Sequence, residues 1–552
     1  MRRLYALLAA LAPATSALGQ LPPPPAPAGN PVTPEKAQLG KALFWDEQLS
    51  SSGTVSCGTC HMPEAGGSDP RTLDALLPSW HPGPDGVFGT GDDARGSRGV
   101  PLARADGSYL GSTAFGLGPQ VTSRKAPSAI GSGYSRHLFW DGRAGSRFSD
   151  PLTGQLVLGD HAALESQALA PIVSPIEMGH VGRSWSAVAE RLEEVTPLGL
   201  SGQVPAELET WIAGRSYPQL FGEVFGDPAI TPVRLAMAIA TYERTLVPDQ
   251  TPWDQVLAGV PPEQVLTDEE RFGLLVFLDP DTGSCGSCHS DGQGPTRFTD
   301  DRFHYIGVRP QGEDPGRGGV TGLAADEGAM RTPDLRNVEL RAPYMHDGSL
   351  ETLSEVIQFY QRGGDFDGSN LHPDIRPLAM TPRSRRDLAA FLGRPLTDPR
   401  VAAGLPPFDR PSQYADSVQV PQVYGEGTSG SGGAVPEIVA LEPPKLGLGS
   451  LTVGVERALG GAPALLLVSS GEVAGGVLRQ GARLYPDASS GTLVPLTALE
   501  GAGAAGGFGS LVLRVPSNPA LAGAALHLQW IVRDPGAAGG LAASRPARWT
   551  WF

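Results

Sequence analysis

The sequence predicts a mostly α-helical chain that ends in a small all-β domain. Two observations support this division. Apolar residues recur at helical spacing in segments such as 232–246 and 353–362. Beyond about residue 435, apolar and polar residues alternate with a period of two, as in 526–532, and turn signals separate the runs. With 552 residues the chain exceeds what one core can organise, so we expect about three domains.

The helices can be located from their capping residues. The first is predicted to begin at Thr33, which would be the N-cap, with Pro34 in the first turn. A second strong cap is Thr267, followed by Glu270, which predicts a helix to about Leu278. Further helical patterns cover residues 164–170, 184–195, 232–246, 353–362 and 384–392. Residues 62–118, rich in Gly, Pro and Asp, are predicted to form a long loop.

Two short motifs carry the chemistry. Residues 57–61 and 285–289 both read Cys-x-x-Cys-His and use all four cysteines. This spacing is the signature of c-type haem attachment, in which two thiols add to the haem vinyl groups and the histidine ligates the iron. The attachment residues are Cys57, Cys60, Cys285 and Cys288, and the proximal ligands are His61 and His289. A redox dithiol would not need the histidine, and a four-cysteine zinc site would leave both histidines unused.

The N-terminus indicates export. Residues 1–19 read as a signal peptide, with Arg2 and Arg3, an apolar run over 4–12 and small residues before Gln20. No later segment is apolar enough for a membrane helix, so we expect a periplasmic or secreted protein. Residues 20–30 form a Pro-rich, extended lead-in. The net charge of −16 disfavours nucleic acid and anionic membranes as partners.

Several further motifs between the two haem sites and after them are distinctive. They are 39–46 (LGKALFWD), 137–144 (HLFWDGRA), 165–168 (ESQA), 175–178 (PIEM), 242–246 (YERTL), 302–308 (RFHYIGV), 332–337 (TPDLRN) and 342–348 (APYMHDG). On these residues the chain resembles the bacterial dihaem cytochrome c peroxidase and MauG family, over roughly residues 31–401.

The resemblance implies a fold and a division of labour. It implies two mostly helical cytochrome-c-like domains, a peroxidatic haem domain over 31–255 and an electron-transfer haem domain over 256–405. Residues 406–434 would be a linker, flexible in its Gly- and Ser-rich part, and 435–552 a β-sandwich or jelly roll.

The resemblance also assigns residues to the peroxide site. Glu177 matches the family's acid/base residue and Gln167 its polar neighbour, and a carboxylate in an apolar pocket suits this proton transfer. Trp140 matches the indole between the two haems, a candidate electron relay. The alternative readings are a surface carboxylate for Glu177 and an ordinary core indole for Trp140.

The second iron's distal ligand separates the peroxidases, which use Met, from MauG-type proteins, which use Tyr. The resemblance places it seventeen residues beyond Pro343, at Tyr360. Met345 and Met380 are the alternatives. A phenolate ligand stabilises ferric iron and implies a lower reduction potential than a His/Met haem.

Two departures from the family are expected to matter. Residues 115–120 lack the histidine that caps the catalytic iron in many relatives, and His81 is too far upstream to replace it, so we expect an open first iron. Lys125 stands where the family's calcium site has an Asn, beside the carbonyls of Arg341 and Pro343, so Ca²⁺ is doubtful there. The acidic turn 85–93 could bind Ca²⁺, but a solvated loop is favoured.

Three functions follow for comparison. The leading one is an exported peroxidase that reduces hydrogen peroxide to water with electrons from a small periplasmic donor, a cytochrome c or a cupredoxin. The second is a MauG-like oxidase that modifies protein side chains through high-valent haems. The third is a non-catalytic dihaem electron carrier, against which Glu177 and Gln167 argue.

Overall fold

The computed structural model describes residues 21–74, 79–290 and 296–552. The signal-peptide prediction for 1–19 lies outside these residues. The helices are α1 Pro34–Trp45, α2 Cys57–Cys60, α3 Ala163–Ala168, α4 Ala170–Val173, α5 Trp185–Glu194, α6 Ala206–Ile212, α7 Tyr217–Phe225, α8 Pro232–Glu243, α9 Pro252–Leu257, α10 Pro262–Val265, α11 Asp268–Leu278, α12 Gly318–Thr321, α13 Leu353–Arg362, α14 Pro382–Leu392 and α15 Pro399–Ala403. Among the described helices, none is long and apolar enough to cross a bilayer.

Short strand pairs lie among these helices, and longer strands follow them. The strands are β1 Trp80–His81, β2 Ala94–Arg95, β3 Arg98–Pro101, β4 Pro119–Val121, β5 Phe148–Ser149, β6 Leu156–Leu158, β7 Phe303–His304, β8 Met330–Arg331, β9 Gln422–Val423, β10 Glu437–Val439, β11 Ser450–Ala458, β12 Ala464–Ser469, β13 Glu472–Arg479, β14 Ala482–Pro486, β15 Thr492–Leu496, β16 Gly507–Arg514, β17 Ala525–Arg533, β18 Leu541–Ala543 and β19 Ala547–Thr550.

The predicted caps start the helices that lead to the two haem motifs. The Thr33 side chain accepts a hydrogen bond from the Lys36 amide at the start of α1. Thr267 and Glu270 form a reciprocal capping box at the start of α11. Each cap satisfies backbone amides that have no partner inside the helix. Both predictions are confirmed.

Each of these helices crosses a later helix at a glycine. Helix α1 crosses α8, where a Cβ on Gly40 would lie 1.9 Å from the Ala238 carbonyl oxygen. Helix α11 crosses α14, where a Cβ on Gly273 would lie 1.9 Å from the Asp387 carbonyl oxygen. Only glycine permits backbones to approach this closely. The two crossings therefore fix the position of each helix that precedes a haem motif.

The C-terminal region contains two antiparallel sheets that share one apolar core. One sheet has the order β10-β11-β16, and the other β15-β12-β17-β19-β9, with β18 paired to β17. Alternate residues of β11, Val453 and Val455, face the same core as Leu466, Trp530 and Trp549. The period-two pattern of the sequence therefore forms strands as expected.

One expectation is not confirmed. Helices contain 28% of the residues and strands contain 18%, so the structure does not confirm a mostly α chain. The predicted linker 406–434 makes tertiary hydrogen bonds: the Tyr414 amide donates to Glu47, and Gln422–Val423 pairs with β19. In its Gly- and Ser-rich part, the Ser431 amide donates to Asp534. These partners satisfy backbone groups of the segment.

Candidate functional site

The first haem motif forms a single capped turn. Helix α2 contains Cys57 and Cys60, and the Ser56 side chain accepts the Thr59 amide at its start. His61 follows directly, and its Nδ1 donates to the Gly67 carbonyl oxygen at 3.1 Å. This bond orients the ring and leaves Nε2 available as an iron ligand. Burial lowers the pKa of His61, which favours the neutral, ligating imidazole.

The second haem motif repeats this arrangement in a tighter turn. Residues Cys285–Ser287 form a 3₁₀ turn, and His289 Nδ1 donates to the Phe298 carbonyl oxygen at 2.7 Å. Burial also lowers the pKa of His289. All four cysteines are free of disulfides, and each motif opens into its own cavity. Two thiols and an oriented imidazole at each cavity fit a covalently bound haem c.

The cavity at the first motif contains the predicted acid. Glu177 and Gln167 line it together with Cys57, Cys60 and His61. Helix α3 positions Gln167, and the Glu177 amide donates to the Ser174 carbonyl oxygen at 3.2 Å in a tight turn. Burial raises the pKa of Glu177, while a hydrogen bond with Ser174 and the charge of Arg143 act in the opposite direction.

Trp140 is shared between the two cavities, since it is among the residues that line each. The indole Nε1 donates to the Lys125 carbonyl oxygen at 2.8 Å, and the Trp140 carbonyl accepts from the Arg331 amide at 2.8 Å. Its ring lies edge-on to His346, with ring centroids 6.3 Å apart. These contacts anchor the backbone and the indole of Trp140 beside both cavities.

The cavity at the second motif contains Tyr360, and the carboxylates that line it belong to Asp314, Asp334 and Asp374. Burial raises the pKa of Tyr360, and so do the thiols of Cys288 and Cys285. Thioether formation would remove the effect of the thiols. Met345 lines the same cavity, whereas Met380 packs into the apolar core of this half. Of the three distal-ligand candidates named from the sequence, Tyr360 and Met345 therefore lie at the cavity, which Met330, His304 and His346 also line.

Comparisons with known proteins agree with this geometry. A family profile described as "Di-haem cytochrome c peroxidase" matches residues 34–261. The methylamine utilization protein MauG of Methylorubrum extorquens is 34% identical over 371 residues, covering 67% of this chain and 80% of that protein. The chain belongs to the dihaem cytochrome c peroxidase and MauG family. As a member it is an oxidoreductase of the peroxidase type, and the family implies two c-type haems.

Further similar proteins include one named as a peroxidase and one solved MauG-like structure. The cytochrome c551 peroxidase of Nitrosomonas europaea is 29% identical over 334 residues, covering 59% of this chain and 74% of that protein. A solved structure described as a MauG-like protein associated with microbial copper homeostasis is 27% identical, covers 70% of this chain and 96% of that chain, and has a TM-score of 0.49.

Two residues of the first cavity were not assigned a role from the dihaem family's motifs. Glu243 lines the cavity one turn after Ile239 on α8, and burial raises its pKa to about 8. Residues 239 and 243 are four positions apart on a helix, and this spacing could have indicated that both face the same cavity. Arg143 also lines the cavity, with its guanidinium stacked over Phe139, 3.6 Å from the ring centroid.

The residues expected at the family's calcium site have a different arrangement here. The Lys125 ammonium donates to the Arg341 carbonyl oxygen and is buried. Burial and the nearby Arg341 lower the pKa of Lys125 to about 7. In the acidic turn 85–93, the Asp92 and Asp93 carboxylates accept the amides of Asp85 and Gly89. These carboxylate oxygens thus accept hydrogen bonds from the backbone amides of the turn itself.

Proposed function

We propose that this chain reduces hydrogen peroxide to water at its N-terminal haem, with electrons that enter at the C-terminal haem. The observation that carries the proposal is the meeting of Glu177, Gln167 and the Cys57–His61 motif at one cavity. When bound, haem c supplies a redox-active iron. An electron carrier needs no buried carboxylate beside its haem, so this cavity disfavours the carrier alternative.

Glu177 is proposed to transfer the proton between the peroxide oxygens. A peroxide O–O bond breaks more readily when the proton of one oxygen moves to the other, which makes water the leaving group. Glu177 can take the first proton and return it to the outer oxygen, and its raised pKa brings the two protonation states closer in energy. The Gln167 amide has both a donor and an acceptor, and would orient the peroxide beside the carboxylate.

The remaining assignments extend this proposal. Trp140, which lines both cavities, would relay electrons between the haems. His61 and His289 would be the proximal ligands and Tyr360 the second distal ligand. We infer a layout of two cytochrome-c-like domains over 31–255 and 256–405, followed by a β-sandwich. A signal peptide would place the protein in the periplasm or outside the cell, where a cytochrome c or a cupredoxin would be the donor.

The test of the proposal is Glu177→Gln, which keeps the size of the side chain but removes its ability to exchange a proton. We expect peroxide turnover to fall by roughly 10²- to 10⁴-fold, the usual contribution of a positioned acid/base. Haem content and the spectrum of the second haem should not change. The control is Glu193→Gln, an exposed carboxylate on α5. Wild-type turnover by Glu177→Gln would refute the acid/base role.

MauG-like oxidation of a partner protein is the second candidate, and one observation favours it. Tyr360 lines the second cavity, as Met345 does, whereas Met380 packs into the apolar core. A tyrosine ligand suits oxidised iron rather than delivery of electrons from a donor. Peroxide turnover should be measured with and without a reduced donor. Turnover that depends on the donor supports the peroxidase; peroxide consumption with oxidation of an added protein supports the oxidase.

We also propose that the Lys125 ammonium replaces calcium at the interface between the haem-binding halves. Its contact with the Arg341 carbonyl supports this, because a buried ammonium and a divalent cation would compete for the same oxygen.

A further inference from the structure

The C-terminal sheets contact a hairpin that forms a wall of the first haem cavity. The hairpin consists of strands β3 and β4 and the loop 102–118 between them, and we call residues 98–121 the wall hairpin. Arg98 and Gly99 at its base line the cavity that contains Glu177. This segment was predicted from sequence as part of a long loop, and its tip lies outside the cavity.

The base of the wall hairpin packs against the backbone that carries Glu177. The Val100 amide donates to the Ile176 carbonyl oxygen at 3.3 Å, and the Val181 amide donates to the Ala103 carbonyl oxygen at 2.9 Å. A Cβ on Gly99 would lie 1.8 Å from the Ile176 carbonyl oxygen and 2.8 Å from the Glu177 Cα. The hairpin therefore fixes the backbone on both sides of Glu177 through direct contacts.

The tip of the wall hairpin is held by strand β11 and its neighbours. The buried Tyr109 hydroxyl donates to the Glu442 carboxylate at 3.1 Å, and the Leu117 amide donates to the Glu456 carboxylate at 2.8 Å. The Thr452 hydroxyl donates to the Gly107 carbonyl oxygen at 2.9 Å. Leu117 is fully buried. These bonds join the tip to the β region at three separate points.

Both faces of β11 are occupied as a result. Val453 and Val455 face the core of the β region, whereas Thr452 and Glu456, on the alternate positions, bond to the wall hairpin. Gly454 lies between them, where a Cβ would be 2.8 Å from Leu117 Cδ1. Tyr109 and Leu117 form one apolar cluster with Val439 of β10 and Phe508 of β16. The face of β11 that points away from the core of the β region is thus covered by the wall hairpin.

We propose that the C-terminal β region is a positioning element of the peroxide site, holding the wall hairpin and through it the Glu177 backbone. Leu117 and Tyr109 are then positioning residues, since they touch neither peroxide nor haem. This inference rests on the proposed role of Glu177. It gives the β region a function in the chemistry of the first haem, although the region contributes no residue to the haem cavities among those described.

The experiment uses the full-length holoprotein with Leu117→Ala, Tyr109→Phe, the conservative Leu117→Met and the control Lys445→Met. Lys445 bonds the Gly199 carbonyl oxygen, so its loss removes a contact of the β region away from the wall hairpin. We expect amide hydrogen exchange in peptides covering 98–104 and 176–182 to rise roughly tenfold in Leu117→Ala. The control should not change it.

The same variants report on the chemistry. We expect kcat with peroxide to fall roughly tenfold in Leu117→Ala and the pH profile of kcat to shift. In Tyr109→Phe the fall in kcat should be smaller. In Leu117→Met kcat should stay near the wild-type value. Faster exchange with unchanged kcat and pH profile would overturn the proposal, as would an equal kcat loss in Lys445→Met. Failure of the underlying function is distinguishable, because Glu177→Gln would then keep its activity while Leu117→Ala still alters exchange.

Discussion

The two haem-binding halves share a pair of crossing helices and differ in the other residues that line each haem cavity. In both, a capped helix crosses a later helix at a glycine and leads to a Cys-x-x-Cys-His turn whose histidine donates to a carbonyl. The first cavity then presents Glu177 and Gln167, and the second presents Tyr360. Haem attachment is therefore repeated, whereas the chemistry depends on the residues that face each haem.

In the proposed function, this difference lets one local motif serve two roles. The motif determines the proximal side, where both halves satisfy the same geometric demands of a thiol pair and an imidazole. The distal side is free to vary, since a carboxylate supports proton transfer and a phenol can cap an iron. Trp140 lines both cavities, and in the proposed function it would link the unequal pair.

The shared crossing of helices can be disrupted at its two glycines. Gly40→Ala and Gly273→Ala each place a methyl group against a carbonyl oxygen of the crossing helix. Overpacking of this kind costs about 1–3 kcal/mol in the free energy of unfolding, and we expect similar losses at the two sites. Gly159→Ala, at an exposed position with open space around it, is the control. Thermal unfolding measures all three, and a cost at only one crossing would contradict the shared arrangement.

The link between the halves can be weakened at Trp140. Trp140→Phe removes the indole bond to the Lys125 carbonyl and the larger π-system between the cavities. We expect donor-dependent peroxide turnover to fall by roughly tenfold, equivalent to about 1.4 kcal/mol in the barrier. The reaction of peroxide with pre-reduced protein in a single turnover should be measured alongside. If steady-state turnover stays at the wild-type rate, the relay role is wrong.

The second half can be altered without touching the first at Tyr360. Tyr360→Phe removes the only oxygen of that side chain, so the second haem should lose a phenolate ligand and its reduction potential should rise. Peroxide turnover should stay within about threefold of wild type, a small change in barrier. Redox titration monitored by absorbance measures the potential. An unchanged spectrum and potential would point to Met345 as the ligand, and Met345→Leu would test that.

The smallest expected effect concerns the cation between the halves. Lys125→Asn replaces the ammonium with a neutral carbonyl-bearing side chain next to the Arg341 carbonyl oxygen. We expect Ca²⁺ at about five times its dissociation constant to stabilise this variant by about 1 kcal/mol and to leave the wild type unchanged. Melting temperatures with Ca²⁺ and with a chelator provide the measurement. Equal responses in the two proteins would show that Lys125 does not replace calcium.

Local signals predicted the helices with strong caps and missed others that had them. Thr33 and Thr267 mark helix starts because their side chains bond amides only a few residues away. Helix α7 was missed although Ser216 and Gln219 form a capping box and Gly226 ends it. Its mixture of Pro, Gly and aromatic residues weakened the helical pattern, and burial of Tyr217, Leu220 and Phe221 stabilises it instead.

The sequence by itself predicted the haem attachment sites, since thioether bonds and the adjacent imidazole depend only on residues within a stretch of five. It also determined, through resemblance, the residues expected to face each haem. Tertiary structure decided that Trp140 borders both cavities and that the wall hairpin joins Glu177 to the β region. The contact between Leu117 and Glu456 links residues more than three hundred positions apart. No local periodicity or cap encodes such pairings, because packing and burial select them only when the chain is folded.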